Sequence, residues 1–375
     1  MRVFWLIFAP AAAYQCIAIA AGVKHLLRRR RERNTPANFR PGVSVLKPLR
    51  GLDPNTYQAF RSQACQDYGT FEILFGAADE NDPAVCQVQR LQREFPQAPI
   101  RLVITGPVEA ANGKVGALIR LAREARYPVL VVNDSDIQVT PSYLSAVVAP
   151  LADERTSLVT CLYRVQAHNA AALWETLGIS TDFLPSTLVA QLIGMRAFGF
   201  GSTLAFRAAD LERAGGFEAL ADYLADDYQL AKRLTATGQR ALISTYVVET
   251  SLEGACWRGI WRHQLRWART IRLSRGDGYA GLFITHTGVW MIAALAASAW
   301  KPAAVLGSLR IASALLTAGL VLRSPAAARL CWLAPAWDLY AFANWATSYR
   351  SRRVEWRGRT LLVNPDGRIQ PEPRP

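Results

Sequence analysis

The chain alternates short apolar runs with amphipathic segments between residues 43 and 133. The runs are VSVL (Val43–Leu46), FEILFGA (Phe71–Ala77), IRLVI (ending at about Thr105) and PVLVVN (Pro128–Asn133). Runs of this length bounded by turn residues predict buried strands, and the segments between them carry helical spacing of apolar residues. The pattern therefore predicts an α/β fold with a mostly parallel sheet.

Longer apolar stretches lie toward both ends of the sequence. Val3–Val23 has no charged residue and is long enough to span a bilayer core, which takes about 20 residues. Three more stretches follow the α/β region, namely Leu282–Trp300, Ala303–Leu322 and Leu330–Ser348. The sequence therefore predicts a multi-pass protein of the phospholipid bilayer, with membrane helices on both sides of the α/β domain.

Basic residues predict the orientation of the anchors. The run KHLLRRRRER (Lys24–Arg33) follows the first apolar stretch, so the positive-inside rule places the N-terminus outside and the α/β domain in the cytoplasm. A cleaved signal peptide is the alternative, because Arg2 precedes the apolar run. The heavier charge after the stretch, and the lack of a clean small-x-small cleavage site, favour the anchor.

The third C-terminal stretch conflicts with the same rule. If all three stretches crossed the membrane, the arginine-rich tail from Tyr349 onward would lie outside. The stretch also contains Asp338 and several Trp and Tyr residues, which favour the membrane interface. We therefore predict that Leu330–Ser348 is interfacial or re-entrant, and that Arg29 and Arg353 both face the cytoplasm.

Composition narrows the choice of partners. The 375-residue chain has a formal net charge of +14, which favours anionic partners such as phospholipid headgroups or a phosphorylated substrate. The sequence carries no nucleic-acid-binding signature, so we expect no nucleic acid partner. Its six cysteines and four histidines are scattered, which indicates neither a disulfide framework nor a zinc site.

Acidic residues follow the predicted strands. Asp53 comes after the first run, Asp79 after the second, and Asp134 and Asp136 after the fourth, in VVNDSDI. Because parallel strands end at one edge of a sheet, these side chains are expected to meet at a ligand-binding rim. Two carboxylates on one loop can hold Mg²⁺ or Mn²⁺ together with the phosphate oxygens of a nucleotide diphosphate. A helix cap or a solvated turn is the alternative for an isolated D-x-D.

Two segments further along the chain also carry chemistry. YLADDYQLAKRL places Asp226 and Asp227 just ahead of a helical segment. WRGIWRHQLRWARTIR (Trp257–Arg272) has arginines on one stripe of a helical wheel and Trp and Ile residues on the opposite side, which predicts a basic amphipathic helix. Such a helix can adhere to anionic lipid, neutralise a diphosphate leaving group, or do both.

Six motifs, taken in order, resemble the ceramide glucosyltransferase-like glycosyltransferases, including their bacterial hopanoid-associated branch. The motifs are KPLRGLD (Lys47–Asp53), ADENDPA (Ala78–Ala84), NGKVGAL (Asn112–Leu118), NDSDI (Asn133–Ile137), ADDYQLAK (Ala225–Lys232) and HQLRW (His263–Trp267). The resemblance extends from about Val43 to Arg275 and implies a GT-A catalytic fold. It also implies a bacterial inner-membrane location, with the catalytic domain on the cytoplasmic side.

The resemblance gives the acidic residues distinct roles. It implies that Asp79 contacts the uracil or ribose of a UDP-sugar donor, that Asp134 and Asp136 bind a divalent metal ion, and that Asp227 is the catalytic base. The implied cofactor is therefore Mg²⁺ or Mn²⁺.

Further donor-binding residues follow from the same resemblance. Asp53 and Lys114 would lie near the nucleotide, and Arg266 and Trp267 match the end of the family's Q/R-x-x-R-W signature. His263 stands where that signature usually has Gln or Arg, which implies a weaker or pH-dependent contact with phosphate or acceptor.

The predicted segments combine the pattern and the resemblance. They are an N-terminal transmembrane helix (1–23), a basic linker (24–42), a GT-A domain (43–256), a basic interfacial helix (257–281), C-terminal membrane segments (282–348) and a basic tail (349–375).

The activity implied by the resemblance is inverting transfer of a hexosyl group from a UDP-sugar to the hydroxyl of a membrane lipid, such as ceramide or a hopanoid polyol. Asp227 would take the acceptor proton without a covalent intermediate. A processive polysaccharide synthase is one alternative, which polymer in the product would reveal. A non-catalytic lipid-binding or scaffold protein of the same fold is another, which UDP binding without turnover would reveal.

Overall fold

The computed structural model describes residues 2–33, 38–53, 55–107, 110–252, 254–356 and 359–371. The chain divides into two compact units, each described separately below. The α/β unit comprises Arg33–Tyr163 and Met195–Ser251. The helical unit comprises Met1–Glu32, Arg164–Gly194 and Leu252–Pro375.

The described residues form helices and strands along most of the chain. The α-helices are α1 (Arg2–Arg33), α2 (Thr56–Ala64), α3 (Pro83–Glu94), α4 (Gly113–Glu124), α5 (Tyr143–Val148), α6 (Ala170–Gly178), α7 (Leu184–Leu192), α8 (Ala208–Arg213), α9 (Asp226–Leu234), α10 (Trp257–Ser274), α11 (Gly276–Tyr279), α12 (Thr287–Ala296), α13 (Trp300–Leu315), α14 (Pro325–Arg329) and α15 (Ala334–Ser348). The strands are β1 (Val43–Pro48), β2 (Phe71–Ala77), β3 (Ile100–Ile104), β4 (Val129–Val132), β5 (Thr156–Gln166), β6 (Leu204–Arg207), β7 (Arg240–Ser251), β8 (Arg353–Trp356), β9 (Arg359–Val363) and β10 (Ile369–Pro371).

The α/β unit is built on a seven-stranded sheet with the order β3-β2-β1-β4-β6-β5-β7. β1 pairs in parallel with β2 and with β4, and β2 pairs in parallel with β3. β6 pairs antiparallel with both β4 and β5. The four strands predicted from the apolar runs are confirmed as β1 to β4. Because all four run in one direction, their carboxyl ends share one edge of the sheet.

Caps place two helices of this unit at that edge. The Asp82 side chain accepts a hydrogen bond from the Ala84 N–H at the start of α3. The Asn112 side chain accepts from the N–H groups of Lys114 and Val115 at the start of α4. Each cap satisfies donors that the first turn of a helix leaves free. The α4 cap thereby places Lys114 in the first turn of its helix, beside the strand ends.

Within the described residues, two helices are long and apolar enough to cross a membrane, Leu6–Glu32 and Trp300–Val321. The first overlaps the predicted span Val3–Val23, and the second joins α13 to a π-helical segment and overlaps Ala303–Leu322. The other two predicted stretches contain shorter helices, α12 with 10 residues and α15 with 15. The interfacial placement of α15 stays a prediction.

A buried ion pair lies inside the helical unit. Arg310, in α13, donates from Nη2 to Asp338 Oδ1 at 2.6 Å and from Nε to Oδ2 at 2.9 Å. Its Nη1 donates to the Thr181 carbonyl at 2.7 Å, and the Gly288 N–H donates to Asp338 Oδ2 at 2.8 Å. Both charged side chains are at most 2% exposed. The pair therefore joins α13, α15, α12 and the π-helical turn that follows α6 by charge-assisted bonds.

The predicted basic amphipathic helix is α10, and part of its arginine stripe contacts the C-terminal segment of the same unit. Arg262 lies 3.5 Å from the Glu355 carboxylate. Arg269 donates to the Arg353 carbonyl at 2.6 Å. Arg272 donates to the Ser351 carbonyl at 3.0 Å. Glu355 and Arg353 belong to β8 of a three-stranded sheet with the order β10-β9-β8. Thus one arginine of the stripe lies near a carboxylate, and two others donate to backbone carbonyls of the same unit.

Candidate active site

The loop after β4 carries the two aspartates of NDSDI. The Asp134 N–H donates to the Gly201 carbonyl at 3.0 Å, which ties the loop to the segment that leads into β6. A Cβ atom at Gly201 would lie 2.6 Å from Asp134 Oδ2, which is closer than real Cβ contacts come. Position 201 therefore requires glycine, because the carboxylate of Asp134 occupies the space that a side chain would need.

Lys47 holds the same loop through two hydrogen bonds. The side chain is fully buried at the end of β1, and its Nζ donates to Asn133 Oδ1 at 2.7 Å and to the Asp134 carbonyl at 2.9 Å. Burial lowers the pKa of Lys47 to about 8, although the carboxylates of Asp136, Asp134 and Asp53 act in the opposite direction. The strand register explains the contact, because Leu46 pairs with Val132 and the next residue on each strand follows.

Asp53 is a third carboxylate of the site, beside the two of the DSD loop (Asp134–Asp136). The Ser135 hydroxyl donates to Asp53 Oδ2 at 2.5 Å, and the Thr250 hydroxyl donates to Asp136 Oδ2. Burial raises the pKa of Asp136, and the negative charges of Asp134 and Asp53 raise it further. The structure thus brings Asp53, Asp134 and Asp136 together as predicted, and their mutual repulsion favours a bound cation.

Lys114 lies between two acidic segments. Its Nζ is 2.7 Å from Asp134 Oδ1 and 3.5 Å from Asp226 Oδ2. Burial lowers the pKa of Lys114, but the two carboxylates outweigh burial and the pKa is raised overall. The ammonium therefore keeps its positive charge, and it links the loop after β4 to the first turn of α9.

Asp227 lies in the first turn of α9, as the sequence predicts. Its Oδ2 accepts from the Gly201 N–H at 3.2 Å, and its Oδ1 accepts from the Tyr228 N–H at 2.7 Å. Burial raises the pKa of Asp227 to about 7, with a further contribution from the negative charge of Asp226. A carboxylate with such a pKa can both accept and release a proton near neutral pH.

Asp79 lies at the end of β2, on the same edge, but on the surface. Its Oδ1 accepts from the backbone N–H and side-chain amide of Asn81 at 2.7 and 2.9 Å. The nearby Asp82 carboxylate accepts from the Gly51 N–H at 2.9 Å, which links the loop after β1 to α3. Asp79 thus occupies a loop at the rim, where an exposed carboxylate can contact a ligand.

The predicted residues of the HQLRW motif lie in the helical unit, on α10. The His263 Nδ1 is 2.5 Å from Glu175 Oε1, which also accepts from Gln264 Nε2 at 3.0 Å. The His263 ring lies 4.5 Å from the Trp267 ring, and Arg266 precedes Trp267 on the same helix. Glu175 is almost completely buried and orients His263 through this contact. The roles of the motif in donor binding stay predictions.

Four residues that contact the predicted ones were not predicted as functional from the sequence. Glu175 gave a signal as a lone acid in the apolar segment ALWETLG, and Lys47 as a lysine directly after a buried strand. Asp226 was recognised only as the neighbour of Asp227. Nothing in the pattern of the segment GMRAFGFGSTLAF singles out Gly201 as the residue that contacts both Asp134 and Asp227.

The described part of the chain contains no cluster of three or more His, Cys, Asp or Glu side chains arranged to hold a metal ion. The two carboxylates of the DSD loop can therefore form only part of a coordination shell. This suits Mg²⁺ and Mn²⁺, which are commonly held by one or two carboxylates with substrate phosphates.

The chain is similar in sequence to known glycosyltransferases. The chain is 33% identical over 208 residues to ceramide glucosyltransferase 1 of Caenorhabditis elegans, covering 55% of this chain and 44% of the worm protein. It is 27% identical over 270 residues to the probable glycosyltransferase YdaM of Bacillus subtilis, covering 68% of this chain and 62% of that protein. The chain thus spans less than half the length of the worm relative.

Solved structures confirm the predicted GT-A fold class. A mannosyltransferase of Pyrobaculum calidifontis superimposes with a TM-score of 0.50 at 21% identity, covering 90% of this chain and 98% of the other. The family model for glycosyl transferase family 21 matches residues 3–369, nearly the whole sequence. The resemblance drawn from the six motifs is thereby confirmed, and the chain belongs to glycosyl transferase family 21.

Proposed function

We propose that this glycosyltransferase moves a hexosyl group from a UDP-sugar to the hydroxyl of a membrane lipid, with inversion at the anomeric carbon. One observation carries the proposal: Gly201 bonds to Asp134 through its carbonyl and to Asp227 through its N–H. The Asp134 side chain also lies against Gly201, so a carboxylate suited to a metal ion and a carboxylate suited to proton transfer flank the same glycine. This arrangement supports a reaction in which one site holds the leaving diphosphate and accepts the proton of the acceptor hydroxyl.

Asp134 and Asp136 fit a divalent cation as its protein ligands. Their oxygens are the hard donors that Mg²⁺ and Mn²⁺ prefer. Burial, and after it the negative charge of Asp134, raises the pKa of Asp136, and a cation would offset that negative charge. When bound, the cation supplies positive charge against the departing nucleotide diphosphate. The Pyrobaculum mannosyltransferase was crystallised with GDP-mannose and Mn²⁺, which supports such a site.

Asp227 is the proposed general base. Its carboxylate removes the proton from the acceptor hydroxyl as that oxygen bonds to the anomeric carbon, and the bond to the diphosphate breaks on the opposite face. Lys114 keeps a positive charge between Asp134 and Asp226, where it balances the carboxylates that surround the reacting groups. The reaction needs no covalent intermediate, because attack and departure occur in one step.

The acceptor is proposed to be a lipid of the ceramide or hopanoid type. The names of the C. elegans relatives support ceramide, and the two apolar helices provide the means to hold the enzyme at a bilayer. The experiment is to incubate membranes that contain the enzyme with a panel of UDP-sugars and a lipid extract, followed by mass spectrometry of the products. A single hexosyl group on a lipid supports the proposal. Polymer, or donor binding without any product, contradicts it.

Replacing Asp136 with Ala is expected to lower metal-dependent UDP-sugar binding and turnover together, each by about tenfold or more, because it removes one of two protein ligands. Isothermal titration with UDP in the presence of Mn²⁺, together with initial rates, measures both effects. Thr250→Val is the comparison variant: it removes the hydroxyl that bonds to Asp136 and keeps the carboxylate, so it should weaken Mn²⁺ binding less than Asp136→Ala does. Unchanged activity of Asp136→Ala, or full wild-type activity in excess chelator, would remove the metal role.

The raised pKa of Asp227 predicts a pH dependence. A general base acts only when it is deprotonated, so kcat/KM should fall about tenfold per pH unit below a pH of about 7 and level off above it. In Asp226→Asn the acidic side of the profile, where kcat/KM falls, should shift to lower pH, because a negative charge that raises the pKa of Asp227 is gone. Rates measured in buffers of constant ionic strength test both statements. A flat profile across neutral pH would argue against Asp227 as the base.

A further inference from the structure

We infer that Lys114 competes with the divalent cation for Asp134, and that arrival of the nucleotide diphosphate removes this competition. Cation and nucleotide then bind cooperatively, each strengthening the other. The inference rests on the proposed function, because it takes Asp134 as a metal ligand and a nucleotide diphosphate as the donor. It adds to that site a coupling between the two ligands, carried by the ion pair of Lys114 with Asp134.

The position of the ammonium is well determined by the fold. Lys114 lies in the first turn of α4, whose cap Asn112 is itself held on both sides. The Asn112 N–H donates to the Ala221 carbonyl at 2.9 Å, and its side-chain amide donates to the Tyr223 carbonyl at 2.8 Å. The Lys114 side chain is 18% exposed and its Nζ reaches Asp134 Oδ1 at 2.7 Å. The lysine is therefore directed at the carboxylate by the backbone around it.

A cation on Asp134 would meet this ammonium at short range. Two positive charges that share one carboxylate repel each other, and water screens the repulsion only in part, because the Lys114 side chain is 18% exposed and the Asp134 side chain 44% exposed. The cation therefore binds weakly while Lys114 stays on Asp134. The long, flexible lysine stem allows the ammonium to move, and a diphosphate beside the cation offers it a new negative partner.

Asp226 is a second anionic partner of Lys114. Its carboxylate lies 3.5 Å from the Lys114 Nζ, so the lysine keeps one anionic partner when it leaves Asp134. The other buried lysine of the site cannot serve in this way, because the Lys47 Nζ bonds to an amide oxygen and a backbone carbonyl. Among the described residues, Lys114 is thus the lysine whose ion pair involves an expected metal ligand.

The test compares Mn²⁺ binding by the full-length enzyme and by Lys114→Met, which keeps the length of the side chain and removes its charge. Free Mn²⁺ is measured by electron paramagnetic resonance, first without nucleotide and then with UDP. Without UDP the variant should bind Mn²⁺ about tenfold more tightly than the wild type. The factor by which UDP tightens Mn²⁺ binding should fall by about the same tenfold, because the competition that UDP removes in the wild type is already absent in the variant. Lys114→Arg keeps the charge and should resemble the wild type.

Equal or weaker Mn²⁺ binding by Lys114→Met, without UDP, would overturn the inference. Asp136→Ala separates this failure from failure of the proposed function. If Asp136→Ala loses Mn²⁺ while Lys114→Met leaves its affinity unchanged, the metal site stands and the competition is wrong. If wild-type Mn²⁺ binding does not depend on Asp136, both are wrong. Thermal unfolding verifies that each variant is folded, and Lys114→Gln, with the same expectation, replaces Lys114→Met if that variant does not fold.

Discussion

Asp227→Asn is expected to lower kcat by about a hundredfold or more while UDP-sugar affinity changes little, because general-base catalysis typically contributes that much. Asparagine keeps the size of the side chain and can still accept from the Gly201 N–H, which bonds to Asp227 Oδ2 at 3.2 Å. It has no basicity, so the acceptor hydroxyl must attack with its proton in place. Steady-state rates with a lipid acceptor and equilibrium titration with UDP measure the two quantities separately.

Asp226→Asn is the matched control for this result. Asp226 precedes Asp227 in the same turn of α9, but its carboxylate lies near the Lys114 ammonium at 3.5 Å. Its loss should change kcat far less. If Asp226→Asn is inactive while Asp227→Asn retains most of its turnover, then Asp226 is the base. If both variants lose UDP-sugar binding, this turn belongs to the donor site.

Breaking the ion pair between Arg310 and Asp338 is expected to destabilise the helical unit by about 3–5 kcal/mol, which is typical for loss of one partner of a buried pair. Arg310→Met leaves the Asp338 carboxylate at 1% exposure with only the Gly288 N–H as a described partner. Asp338→Leu leaves the guanidinium with the Thr181 carbonyl. Unfolding of detergent-solubilised protein, followed by tryptophan fluorescence, measures the loss.

The double variant Arg310→Met, Asp338→Leu completes a double-mutant cycle. It leaves no buried charge without its partner, so it should be more stable than the sum of the single losses predicts, by at least about 1 kcal/mol. Additive losses would contradict a direct pairing energy. Single losses below about 1 kcal/mol would contradict the structural importance of the pair.

The sheet could be read from the sequence because its signals are local. Each apolar run from Val43 to Asn133 is short, continuous and bounded by turn residues, so β1 to β4 begin and end within two residues of the prediction. The rim followed from the same reading, since strands joined by helices run parallel and end together. The same rule predicts that Asp53 and the DSD loop lie close together, as they do in the structure.

Contacts between distant positions could not be read in the same way. Lys47 meets Asn133 across 86 positions, and Gly201 meets Asp134 across 67 positions that include β5 and three α-helices. Asp338 is more instructive. Its charge favoured a membrane interface on the sequence, whereas the structure buries it against Arg310. A single charge in an apolar stretch signals a partner, but its identity depends on packing between helices that periodicity does not specify.

Lys47 has a consequence for the thermodynamics of donor binding. Its two bonds to the Asn133 side chain and the Asp134 carbonyl fasten the metal-binding loop to the core of the sheet. The Ser135 hydroxyl and the Asp134 N–H fasten it at two more points. The loop is therefore preorganised, and little conformational entropy is lost when a nucleotide arrives. Because this cost is small, a larger part of the interaction energy with the diphosphate remains as binding free energy.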